Sequence, residues 1–159
     1  MRIDRFQPFV RRLIETQSGV TAVQDQEQAE DWPDRPHGLV VTFSNGAQVW
    51  FAITQTLAPG DKHEQAEVPV EAKPPVATDV PAVPTPGQMV TMAENWLAAV
   101  ISTAENPEVE AIKAYGDSMM TASGVSVRFH NGAKIQMAIE YVAAPGRRRN
   151  HKRYELQEA

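Results

Sequence analysis

Residues Gly38 to Gly60 read GLVVTFSNGAQVWFAITQTLAPG, and Gly124 to Gly146 read GVSVRFHNGAKIQMAIEYVAAPG, at a constant offset of 86. Eleven of the 23 positions are identical, among them Asn45-Gly46-Ala47 with Asn131-Gly132-Ala133 and the closing Ala-Pro-Gly. In each copy the apolar residues alternate: Leu39, Val41 and Phe43, then Val49, Phe51 and Ile53; Val125, Val127 and Phe129, then Ile135, Met137 and Ile139. A period of two marks half-buried strands, so each copy is a hairpin turning at Asn-Gly. A two-residue loop would set Phe43 opposite Gln48 and mix the faces. A three-residue loop, Ser44-Asn45-Gly46, pairs Phe43 with Ala47, Val41 with Val49 and Leu39 with Phe51, and so keeps directly paired residues on one face. The sequence therefore predicts a turn closed by a bulge, with Gly46 and Gly132 in the left-handed conformation.

Working outward, Ile3, Phe6, Phe9, Val10, Leu13 and Ile14 follow helical spacing, which predicts a helix over 3–17. Asp4 with Gln7 would cap it, or it would start at Gln7 with Pro8 in the first helical position. Met89, Ala93, Trp96, Leu97, Val100, Ile101 and Ala104 form a second apolar stripe, capped by Thr85 or Thr91 and stopped at Asn106-Pro107. Short strands are expected at Val20–Val23 and Val109–Ile112, just before each hairpin. Between the copies, residues 61–87 hold six prolines and only scattered apolar residues, the composition of a semi-extended linker.

The expectation is an α+β fold made by tandem duplication of a helix–three-strand (αβββ) unit with antiparallel hairpins, in a pseudo-twofold arrangement. The first repeat spans 1–60, the linker 61–87, the second repeat 88–146, and a basic C-terminal tail 147–159. A unit of that size buries too little surface to stand comfortably alone, so the copies should pack together. Sheets joined edge to edge, sheets packed separately and a swapped dimer all satisfy the pattern.

The hydrophobic content of 42% and charged content of 22% are globular values. With no cysteine, disulfides, thiolate metal sites and cysteine nucleophiles are excluded. No apolar run reaches a membrane span, and the charged N-terminus is not a secretory signal. A soluble cytoplasmic protein without a membrane partner is expected. The net charge is −5, of which the tail contributes five basic and two acidic side chains, leaving −8 on residues 1–146.

The four histidines are scattered without ligand spacing, and no nucleophile motif or phosphate loop occurs, so no metal, no cofactor and no enzymatic activity are expected. The carboxylates of residues 25–37 read as a solvated loop. What repeats is scaffold. Outward strand positions differ between copies, as in Val40/Ser126, Thr42/Arg128, Gln48/Lys134, Trp50/Gln136 and Thr54/Glu140. Two groups stand out as contact candidates. Val40 and Trp50 lie outward on the first hairpin and suit a protein partner; alternatively they pack on the acidic loop, Trp32 included, or on the other repeat. Arg147, Arg148, Arg149, Lys152 and Arg153 could contact phosphates. The leading reading is a non-catalytic protein-binding or assembly module (an adaptor, a peptide-binding chaperone or a component of a larger particle) engaging another protein or its own copies. An accessory nucleic-acid-binding protein acting through the tail is the alternative, and an enzyme with a site between the repeats comes third.

Overall fold

The computed structural model describes residues 1–29, 32, 36–117 and 122–147. It is an α+β fold of two helices and one six-stranded antiparallel sheet. Helix α1 (Ile3–Glu15) is followed by β1 (Val20–Asp25), β2 (Gly38–Phe43) and β3 (Gln48–Thr56). Helix α2 (Met89–Ser102) is followed by β4 (Val109–Ala114), β5 (Gly124–Phe129) and β6 (Lys134–Ala143). The strand order is β1-β2-β3-β6-β5-β4, so β3 and β6 meet at the centre and one continuous sheet results. The edge strands β1 and β4 each carry a bulge near their start, between Val20 and Ala22 and between Val109 and Ala111. Such irregularities blunt an edge against further pairing.

The hairpin register is the one parity requires. Leu39 pairs with Phe51 and Val41 with Val49, while the Phe43 N–H donates to Ala47 O at 2.8 Å. Gly46 and Gly132 sit at φ 87° and 90°, a left-handed conformation that costs little without a Cβ. Each Asn side chain closes its own turn by accepting the N–H two residues on: the Ala47 N–H donates to Asn45 Oδ1 at 2.9 Å and the Ala133 N–H to Asn131 Oδ1 at 3.0 Å. The Ala-Pro-Gly ends also have a structural use. Pro145 lies against Gly46 and Pro59 against Gly132, so the end of each hairpin packs on the turn of the other.

Both helices cover one face of the sheet, and the inward residues of both hairpins join them in one core. The halves are interlocked through aromatics. Phe6 of α1 stands edge-on to Phe129 of β5 at 6.1 Å, and Trp96 of α2 edge-on to Phe43 of β2 at 4.9 Å. Neither expected cap forms on α1. The helix begins at Ile3, whose N–H donates 2.9 Å to Gln55 Oε1 of β3, and Pro8 lies inside it. A side chain about fifty residues away does the capping that local sequence was expected to supply.

Residues 61–87 form no helix or strand, but they are tied down along their length as a strap. Arg2 pairs with Asp61, Arg5 bridges Glu67 and Glu108, the Ala72 N–H reaches Pro107 O at 2.9 Å, and the Thr78 N–H reaches Ser102 Oγ at 3.0 Å. Val80 and Val83 pack against the core, and Asn45 Nδ2 donates to Pro84 O at 2.8 Å. The prolines prevent regular pairing. They do not prevent docking through carbonyls and side chains.

Candidate functional site

One face of the sheet is covered by the helices; the chemistry that differs between the halves lies on the other. Antiparallel pairing stacks its outward residues in five cross-strand rows. The central row is Gly38–Ala52–Ala138–Gly124, four small residues that leave a shallow trough across the middle. On one side lie Gln24–Val40–Trp50–Tyr141 and Ala22–Thr42–Gln48–Ala143. On the other lie Lys113–Ser126–Gln136–Thr54 and Ala111–Arg128–Lys134–Thr56.

The two sides are dressed differently. Over the first lies Trp32, only 4% exposed, packed with Val40, Trp50, Ala52 and Ala143 in a separate apolar cluster. Its ring approaches Gly38 so closely that a Cβ there would stand 2.6 Å from Cη2. Its indole N–H donates 2.8 Å to Glu140 Oε2. Glu140 faces this cluster because β6 has an extra residue where Trp50 pairs with Tyr141 and Phe51 with Ile139. It was expected as an ordinary outward counterpart of Thr54, but the bulge leaves it buried while Thr54 is exposed. The acidic run was read as a solvated loop, with Trp32 named as a cover for the hairpin face; Gln26 and Trp32 are both buried.

Val40 and Trp50 therefore take the packed arrangement, beneath Trp32, at 3% and 5% exposure. Tyr141 stands edge-on to Trp50 at 6.4 Å. The Trp50 Nε1 is buried without a hydrogen-bond partner among the described residues, whereas that of Trp32 is satisfied. Of the five basic residues named in the tail, Arg147 is described and exposed; Arg148, Arg149, Lys152 and Arg153 lie outside the described residues.

The trough is pinned from beneath. Glu94 of α2, buried, accepts the Gly124 N–H at 2.6 Å and the Gly116 N–H at 3.3 Å. Beside it the Tyr115 hydroxyl is pushed up to about 12, by burial first and by the charge of Glu94 second. At the other glycine, Gln26 Oε1 accepts the Gly38 N–H at 3.1 Å, and Gln7 Nε2 donates to Asp25, Gln26 and the Gly38 carbonyl. These polar groups anchor the first residues of β2 and β5 through their backbone. Trp32 had one signal in the sequence, as the lone aromatic in a polar run. Glu94 and Gln26 had none, because their partners are backbone groups placed by the sheet.

Over the second half, Thr54, Thr56, Lys113, Arg128, Lys134 and Gln136 are exposed and Ser126 is half-buried. Arg128 forms a bidentate pair with Glu110 at 2.8 and 3.2 Å. Lys113 and Lys134 have no ion-pair partner among the described residues. No group of three or more metal-ligating side chains occurs among the described residues, and no described helix is long and apolar enough to cross a membrane. In comparisons with known proteins, no family model, no curated protein and no solved structure matches the chain.

Proposed function

We propose that the chain is a tandem duplication of an αβββ unit, its copies related by a pseudo-twofold axis through the central row, that works as a non-catalytic protein-binding module. It serves as an adaptor, a peptide-binding chaperone or a component of a larger particle, and its contact is the outer face of the sheet. The duplication is supported by the repeated sequence together with the matched bulges in β1 and β4. The binding reading is carried by one observation. Equivalent rows of the outer face hold an apolar set under Trp32 on one half and an exposed polar set on the other. The first half of the outer face is consumed by packing under Trp32, and the open half, polar and exposed, is what remains for a contact.

The test is a photo-reactive residue at Gln136 or Thr54, on the open half-face, with Asn95 on the exposed side of α2 as control. A discrete adduct from the first two and none from the third is the expected result. An adduct of twice the chain's mass identifies a second copy as the partner. Equal labelling from all three positions, or none from any, refutes the assignment of this face.

A further inference from the structure

Among the described residues, all the strand-borne cations sit on one patch, the open half of the outer face: Lys113, Arg128 and Lys134. The same places in the first half hold Gln24, Thr42 and Gln48, which occupy matching positions in the cross-strand rows. The scaffold thus accepts neutral side chains at all three, and folding does not call for charge there. Among the described residues Glu110 alone is ion-paired with one of them, Arg128. The chain as a whole carries −5, so this is a local reversal of sign on an acidic body.

We infer that this patch docks an acidic, extended segment of a partner protein; the inference rests on the protein-binding role proposed for the face. Arg128 and Lys134 are cross-strand neighbours, about 5 Å apart at the backbone, and Lys113 lies one strand and one row from Arg128, about 8 Å away. Carboxylates at alternate positions of an extended chain repeat every 6.5–7 Å or so, a spacing that long cationic side chains span readily. Ser126 and Gln136 between the cations offer hydroxyl and amide groups to the peptide backbone. Nucleic acid fits less well. These two rows contain no aromatic side chain on which a base would stack.

The experiment titrates the isotope-labelled full chain with a (Glu-Ser)5 peptide at low salt, and separately with (dT)10, following backbone amide shifts. The peptide is expected to move amides of β5, β6 and the end of β3. K113Q/K134Q should weaken it by roughly three- to tenfold, the scale of two partly exposed ion pairs. R12Q/K62Q, removing the same charge from beside α1, should change it by less than about twofold. All four side chains are exposed, and a native spectrum for each variant confirms that folding is not being read. Absence of shifts on this face, equal losses in the two variants, or tighter binding of (dT)10 to the same amides overturns the proposal. A protein adduct from Gln136 without peptide binding sinks the acidic occupant alone; failure of both experiments sinks the face as well.

Discussion

Replacing Trp32 tests whether the loop that carries it belongs to the core. The side chain is 4% exposed and stands on Gly38, Val40, Trp50, Ala52 and Ala143. An indole buried to this extent removes roughly 200 Å² from water, worth about 5 kcal/mol at 25 cal/mol per Å². That is an upper bound, because the unfolded chain already hides part of the area. Water entering the opened trough relieves part of the cavity term as well. Trp32→Ala should therefore cost about 3–4 kcal/mol. Phenylalanine separates packing from hydrogen bonding. Trp32→Phe loses the N–H bond to Glu140, whereas Trp50→Phe gives up an N–H with no partner among the described residues. Losing that charge-assisted bond should make the Trp32 variant the worse of the two by about 1–2 kcal/mol. The assay is urea denaturation followed by circular dichroism, since each substitution alters fluorescence. A loss below about 1 kcal/mol for Trp32→Ala, or equal losses for the two phenylalanine variants, would refute the packing argument.

Trp50→Gln, the residue the other hairpin carries, should cost roughly 2–4 kcal/mol in the same assay, because the indole is interior; a change within about 0.5 kcal/mol would put it on the surface. Gly132→Val should destabilise by about 1–3 kcal/mol and Gly132→Asn by less, since a β-branched residue resists φ near 90°; equal effects would mean the turn is wrong. The strap should loosen in acid. The hydrogen bond from Arg2 holds Asp61 below its usual range. Burial pushes Glu67 upward, but its bonds to Arg5 and the Met1 amino group outweigh this and leave it lowered. Both carboxylates are thus lowered on folding, so their contribution is present above the ordinary carboxylate range near pH 4 and is lost as pH falls through the folded values. Amides of Val68–Val76 should then shift before those of β3 and β6, and D61N/E67Q should loosen them at neutral pH; strap amides that move only with global unfolding would disprove the anchoring.

Periodicity and repetition made much of this protein legible without coordinates. Alternation identified the four hairpin strands, the 3.6-residue stripes gave the two helices, and parity chose the three-residue turn. These are short-range consequences of side-chain direction, which a strand or helix imposes on its own residues. The sequence likewise marked Val40 and Trp50 as outward, and named the acidic loop with Trp32 as one cover for them. What tertiary structure decided was every relation between segments distant in the chain. That β3 pairs with β6, that an extra residue turns Glu140 toward Trp32, that Gln55 caps α1, and that the Pro-rich segment is strapped down by Arg2, Arg5 and Asn45 all depend on surfaces formed only after the halves meet. The same holds for the cations. Lys113, Arg128 and Lys134 are scattered over some twenty residues of sequence, and only the hydrogen-bonded register of β4, β5 and β6 gathers them onto one patch. Local pattern records which way a side chain points; which neighbours it meets there is set by strand order and register, and those are properties of the assembled sheet.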